Sequence, residues 1–374
     1  MMARLGDVGK IITGNTPKTS DALNYSSNDI CFVKPSDILD GEITVITDSE
    51  FYISNYARDK ARILPPKSVL VTCIGIIGKV AINNVECAFN QQINAIVPDT
   101  SKCLTEYLAY AIQNKQKEMQ DIANAPVVPI LNKTQFSEIE IELPSIESQT
   151  EVVEKMRTID DLISLRRQQL SKLDELVKSR FIEMFGDPVS NDKGWPHQAM
   201  DKVAPSSAYS GVNSEKVWLL NLDMVEAQTG RIIEYLYVNK EQVGNSTCGF
   251  DEGNVLYSKL RPYLNKVVVP NQNGYCTTEL VPLRPSEKLN RQFLAYLLRS
   301  DAFVSFINEK VAGAKMPRVS MNVFREFECI LPPIELQNQF AAFVEQTDKS
   351  KFEIQKSLEK LETLKKALMQ KYFG

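Results

Sequence analysis

An internal repeat constrains this chain more than any other feature. Residues 143–186 (LPSIESQTEVVEKMRTIDDLISLRRQQLSKLDELVKSRFIEMFG) align without a gap on residues 331–374 (LPPIELQNQFAAFVEQTDKSKFEIQKSLEKLETLKKALMQKYFG), at an offset of 188 positions. Both copies open on Leu-Pro-x-Ile-Glu-x-Gln and close on Phe-Gly. The offset persists upstream, where Pro129, Phe136, Glu138 and Glu140 map onto Pro317, Phe324, Glu326 and Glu328. After a small gap, EYLAYAIQNK at 106–115 matches QFLAYLLRSD at 292–301. Such a repeat means that one supersecondary solution is used twice. The 374 residues therefore divide into two similar halves, each a globular region followed by one long helix.

The repeated segments read as helices. Pro144 and Pro332-Pro333 suit a first turn and block helix before it. In the first copy Met156, Ile163, Leu170, Val177 and Met184 recur every seventh residue, with Ile159 and Leu173 three residues after members of that series. This is a heptad seam. In the second copy Ile354, Leu358, Leu361, Leu364, Leu368 and Tyr372 make a comparable stripe. About 40 residues at 1.5 Å rise give a rod of roughly 60 Å. We expect the two helices to pack on each other as an antiparallel coiled coil through Ile163, Leu170, Leu173 and Val177 on one side and Ile354, Leu358, Leu361 and Leu368 on the other. That pair would hold the globular regions apart at fixed distance. Arg166 and Arg180 interrupt the seam.

The globular regions read as mixed α/β (α+β) with much strand. Residues 63–83 hold β-rich runs broken by Pro65-Pro66, Gly75 and Gly78, and residues 250–270 occupy the corresponding place in the second half. The segment GDPVSNDKGWP at 186–196 is rich in turn formers and reads as a linker. The expected divisions are 1–143, a first globular domain; 144–186, the first long helix; 187–331, linker and second globular domain; and 332–374, the second long helix. The whole is a pseudo-twofold repeat.

Composition excludes several classes. With 43% hydrophobic and 24% charged residues the chain is an ordinary globular one. Residues 1–13 lack the apolar core of a signal peptide, and the longest apolar stretch, 69–78, is far short of the roughly 20 residues of a membrane span. The seven cysteines are dispersed, with no Cys-x-x-Cys pair, and read as buried free thiols of a cytoplasmic protein with no membrane partner. With His197 the only histidine, and expected to face solvent beside the linker, catalytic triads and zinc sites are disfavoured. There is no phosphate loop, no Gly-x-Gly-x-x-Gly, no acid two residues before a Lys as in Mg²⁺ nucleases, and no Asn-Pro-Pro-aromatic run as in adenine methyltransferases. No catalytic site and no metal site is expected; the chain reads as a binding and scaffolding protein.

Two globular regions, each followed by a long helix opening on Leu-Pro-x-Ile-Glu-x-Gln, resemble the specificity subunit of type I restriction-modification enzymes over essentially the whole chain. ITGNTPKTS at 12–20, before DICFVKPSDI at 29–38, is similar to the usual opening of a target-recognition domain in that family. WLLNLDMVEAQTGRII at 218–233, VLYSKLRPYLNKVVV at 255–269 and TTELVPLRP at 277–285 are similar to the core of the second. The resemblance implies a non-catalytic subunit that reads a split sequence in double-stranded DNA, one half per recognition domain, with the helices as a ruler. It also implies two methyltransferase (modification) subunits docked on the helices, and restriction/translocase subunits beside them. S-adenosylmethionine, ATP and Mg²⁺ would then be held by the partners and none by this chain.

DNA-contacting residues follow from physical argument. Arg and Lys neutralise phosphates, and Arg, Asn and Gln read base edges in the major groove. Overall charge is uninformative at 43 Lys+Arg against 47 Asp+Glu, but clustering is not. Residues 20–54 carry seven acids and the single base Lys34, whereas residues 254–331 carry eleven bases against six acids. Candidates in Gly/Pro-containing loops are Asn15, Thr16, Lys18, Arg58, Lys60 and Arg62 in the first region. In the second they are Tyr209, Ser210, Lys259, Arg261, Tyr263, Lys315 and Arg318. Two alternatives remain open at this level: a related system whose partner fuses methylation and cleavage, and a coiled-coil scaffold that does not bind DNA.

Overall fold

The structure, a computed structural model, describes residues 1–123, 128–212, 214–311 and 317–374. It contains two compact units, Met1–Arg166 with Ser357–Gly374, and Arg167–Lys356. Each unit thus takes half of each long helix, whereas the sequence places its divisions at 144 and 332.

In the first unit a five-stranded sheet runs in the order Gly9–Thr13, Ile93–Pro98, Val69–Thr72, Val80–Asn83, Ile43–Ile46. All neighbours are antiparallel except the last pair. Val69, Leu70 and Val71 are buried on both faces, which explains why this strand reads as a continuous apolar run without alternation. A four-stranded sheet has the order Tyr52–Ile53, Ile30–Val33, Cys87–Phe89, Ile63–Leu64, with a parallel central pair. Helix Thr105–Asn114 covers the larger sheet through Tyr107, Leu108, Ala111 and Ile112.

The second unit repeats this plan with fewer strands. Val255–Ser258 is flanked by Val267–Val268 and Leu280–Leu283, and Lys216–Leu220 lies parallel to Gly274–Thr277 between two antiparallel edges. Individual bonds recur as well. Leu5 N–H donates to the Ile139 carbonyl at 2.9 Å, as Met200 does to Phe327; Leu143 N–H donates to Met1 at 2.7 Å, as Leu331 does to Pro196. His197 opens the strand His197–Ala199, paired with Glu328–Ile330, and its Nδ1 lies 2.8 Å from Glu328 Oε2. It is thus exposed as expected, but tied into a strand with an acidic partner.

The long helices span Ile146–Phe185 and Ile334–Phe373, 40 residues each. Their shared glutamine has the same task in both. Gln149 is fully buried; its Oε1 accepts from Leu104 N–H at 2.8 Å and its Nε2 donates to the carbonyls of Lys102 and Pro144. Gln337, also fully buried, accepts from Asn290 N–H at 2.9 Å and donates to Lys288 and Pro332. Each glutamine therefore ties its helix start to the loop that leads into an earlier helix of the same half, Thr105–Asn114 or Arg291–Arg299. The shared Phe is equally plain. Phe373 packs 5.1 Å from the Tyr107 ring in the first unit, and Phe185 packs 4.7 Å from the Phe293 ring in the second.

Within each unit the helix segments run antiparallel. In the first, Lys155 stands over Tyr372 while Asp160 pairs with Lys365 at 2.7 Å. In the second, Asp174 pairs with Lys351 at 2.5 Å and Phe181 meets Phe340. Of the expected seam, Ile163, Val177 and Leu358 are buried, and Leu170, Leu173, Ile354, Leu361 and Leu368 are half-buried. Leu364 departs from the stripe and is 47% exposed, because Lys365 takes the seam position beside it to reach Asp160. Leu162, Leu165 and Leu176 of the first helix and Phe352 of the second are likewise exposed.

Candidate nucleic-acid interface

In the second unit, the turn after strand Val255–Ser258 is stitched to residues 317–319. Arg261 N–H donates to the Pro317 carbonyl and Val319 N–H to the Lys259 carbonyl, both at 2.8 Å; Lys259 N–H donates to Glu279 at 3.0 Å. Arg318 reaches back over this turn to Glu279 Oε1 at 2.8 Å. The other oxygen of Glu279 is buried without a hydrogen-bond partner among the described residues. Arg261 has φ +49°, a left-handed conformation that strains a residue with a Cβ. Such strain persists only where surrounding structure imposes it, and it clusters at functional sites. The fold thus gathers Lys259, Arg261, Tyr263 and Arg318 from two distant stretches, and Arg261, Tyr263 and Arg318 are exposed. Lys315 lies outside the described residues.

Tyr209 and Ser210 sit elsewhere, against the strand Thr247–Phe250. Tyr209 N–H donates to the Gly249 carbonyl at 2.8 Å, and a Cβ at Gly249 would meet the Tyr209 carbonyl at 2.1 Å. Glycine is required there by close approach of two backbones. Cys248 and Cys276 face each other across this sheet with sulfurs 3.5 Å apart.

The first unit brings together Asn15, Lys60 and Arg62, but largely to bind one another. The Asn15 amide donates to the Lys60 carbonyl and accepts from Arg62 N–H, both at 2.8 Å, and the Arg62 guanidinium donates to the Thr13 carbonyl. Asn15 is accordingly a brace of its loop, with both ends of its amide occupied. Lys60 is held by Asp21 at 2.9 Å and stands 3.6 Å over the Tyr56 ring. The hydrogen bond that Lys60 donates to Asp21 raises the Lys60 pKa and lowers that of Asp21. Arg58 pairs with Glu86 at 2.8 Å, and the Thr16 hydroxyl donates to Gln91 at 2.6 Å. Lys18 is exposed. The acidic stretch 20–54 supplies the partner of Lys60, which composition could not assign.

Two features escaped sequence reasoning. Glu279 organises the second-unit cluster, and nothing in TTELVPLRP singles it out. In the first unit Lys34 stands 3.0 Å over the exposed Phe51 ring, beside a cavity of about 130 Å³ that Thr16, Tyr52 and Asn90 also line. The isolated base in an acidic stretch was the available signal. Among the described residues no group of three or more His, Cys, Asp or Glu side chains could hold a metal ion, and no helix is long and apolar enough to cross a membrane.

Residues 1–175 and 224–366 match the family model of the type I restriction modification DNA specificity domain. The chain belongs to this family. Its relatives include the type I restriction enzyme MjaIX specificity subunit of Methanocaldococcus jannaschii, 23% identical over an alignment of 403 positions, gaps included, that covers 98% of this chain and 91% of the relative. The HindI specificity subunit of Haemophilus influenzae is 33% identical over 190 residues, 48% of this chain and 40% of its own. The solved S subunit of a type I restriction-modification system from M. genitalium superposes with a TM-score of 0.61 at 12% identity, covering 100% of this chain and 96% of its own; it shares the fold. DNA target recognition is the role of the family, so this specificity subunit recognises DNA and leaves catalysis to other chains.

Proposed function

We propose that this specificity subunit reads a bipartite target in double-stranded DNA, with residues 1–143 as one recognition domain and 187–331 as the other. The long helices set the unread gap and carry two methyltransferase subunits. S-adenosylmethionine, ATP and Mg²⁺ belong to those methyltransferase and the restriction/translocase subunits, and the complex works in the cytoplasm. The observation that carries the DNA reading is the cluster of Lys259, Arg261, Tyr263 and Arg318, drawn from two stretches onto one backbone-stitched turn. Cations so placed neutralise phosphates, and a planar guanidinium is suited to guanine. Exposed apolar side chains, Leu162 and Leu165 in the first unit and Leu176 and Phe352 in the second, are available to the methyltransferases.

The test is binding of the assembled methyltransferase complex to its target across a salt series. Arg261→Glu with Arg318→Glu is expected to weaken binding at least tenfold and to reduce the slope of log K against log salt by roughly two, one per lost phosphate contact. An unchanged slope would remove these two residues from the interface. Modification-sensitive sequencing of cells with the methyltransferase, with and without this chain, tests the larger reading. A split methylated-adenine motif that needs this chain is expected; its absence would leave the scaffold.

A further inference from the structure

The stitched turn of the second unit has a counterpart in the first, with opposite chemistry. Gly75 N–H donates to the Pro129 carbonyl at 3.2 Å, as Arg261 does to Pro317; Leu131 N–H donates to Cys73 at 2.9 Å, as Val319 does to Lys259. Isolated bridges join Ile74 to Ile130 and Leu260 to Arg318. Gly75 has φ +79° where Arg261 has +49°, and both turns follow equivalent strands, Val69–Thr72 and Val255–Ser258. Cys73 therefore stands where Lys259 does, Gly75 where Arg261 does, and Ile130 where Arg318 does. The three cations of one turn have no counterpart in the other. What the first turn presents is Ile76, Val128 and Ile130, exposed by 58%, 44% and 51%. Of the two cations nearest along the chain, Lys79 is turned away, its Nζ donating to the Ile38 carbonyl at 2.9 Å, and Lys133 lies beyond the stitch, exposed at the start of helix Lys133–Glu138.

Single exposed aliphatics are common, but three on one turn and the segment stitched to it mark a contact surface. We infer that Ile130, which holds the place of Arg318, and Ile76, next to the Gly75 that holds the place of Arg261, face DNA and select an A·T pair through the 5-methyl group of thymine. An aliphatic side chain neither neutralises a phosphate nor hydrogen-bonds a base edge. The one apolar group that base edges present in the major groove is that methyl. The occupant of this surface is duplex DNA, because its counterpart is the cationic turn; this step rests on the DNA reading given above. The two half-sites would then be read by different physics: charge and hydrogen bonds in one, methyl burial in the other.

The assembled methyltransferase complex, wild type and Ile76→Ser/Ile130→Ser, is titrated with its target duplex and with duplexes in which each thymine is replaced singly by deoxyuridine. One position in one half-site is expected to weaken wild-type binding about fourfold, the burial of one methyl group, and to leave the variant unaffected. Wild-type binding that tolerates every deoxyuridine, or a variant as sensitive as wild type, overturns the inference while the DNA reading stands. A variant complex that has lost a methyltransferase subunit also overturns it, since the surface is then a protein contact. A wild-type complex without any preferred duplex overturns both readings.

Discussion

Gln149 and Gln337 show how a single polar residue can fix the exit direction of a 40-residue helix. Each fills three hydrogen-bonding positions in a dry site, so replacing either by Leu strands one N–H and two carbonyls. Gln149→Leu is expected to cost about 3 kcal/mol, read as a lower urea midpoint, since stranded buried groups cost roughly 1–3 kcal/mol each and partial hydration relieves some. Gln149→Glu keeps the acceptor but loses both donations and should fall no less. The thiols offer a second residue-scale check. Burial pushes Cys103 and Cys329 up to about 12, so both stay protonated and unreactive at neutral pH. Cys248 is half-buried, and its pKa is lowered by a hydrogen bond from the Cys276 thiol, with Lys259 contributing. Maleimide labelling of the native chain at pH 7 should therefore modify Cys248 well before Cys103 or Cys329, as mass spectrometry of timed digests would show. At this scale the sequence was legible where it repeats: the glutamine and the Phe-Gly ending announced themselves by recurrence. Their partners did not, because the loop at Lys102–Leu104 is defined only once the fold closes. For the same reason Arg58 and Lys60 read as loop cations for DNA with no sign of their partners, Glu86 and Asp21.

At the scale of elements, the heptad stripe decides which face of each long helix is covered. Leu358 is buried and Leu364 is not, although the two look equivalent in sequence. Leu358→Asp should destabilise by about 3–5 kcal/mol through lost packing and a buried carboxylate, whereas Leu364→Asp should stay within about 0.5 kcal/mol; differential scanning calorimetry of both variants separates them. The difference arises from Lys351 and Lys365, which occupy seam positions and pair with Asp174 and Asp160, fourteen residues apart on both helices. A charged seam position cannot be told from an exposed one until its partner across the helix pair is known. Strands were legible where both faces are buried, as in Val69–Thr72. They were obscure where only two residues pair, as in Tyr52–Ile53, whose neighbour Ile30–Val33 comes from distant sequence.

For the whole molecule, the repeat made the doubled architecture readable from sequence, because two copies of one solution must share their internal bonds. The sheets themselves were less so, since parallel pairs such as Ile30–Val33 with Cys87–Phe89 join strands far apart in the chain. If the helices act as a ruler, lengthening both by seven residues preserves the heptad phase and adds about 10 Å, or roughly three base pairs, to the unread gap. Modification-sensitive sequencing of such a variant should return the same half-sites with a longer spacer; an unchanged spacer would refute the ruler. The division of the helices between the units has a consequence for synthesis. The first unit needs residues 357–374, whose Phe373 fills the space beside Tyr107 and whose Lys365 meets Asp160. After residue 166 emerges, about 190 more must be translated before that unit can close, roughly 10–40 s at about 5–20 residues per second. The half made first is finished last, so a nascent chain carries an open apolar face for most of its time on the ribosome, and a late stop codon would unmake the beginning of the protein.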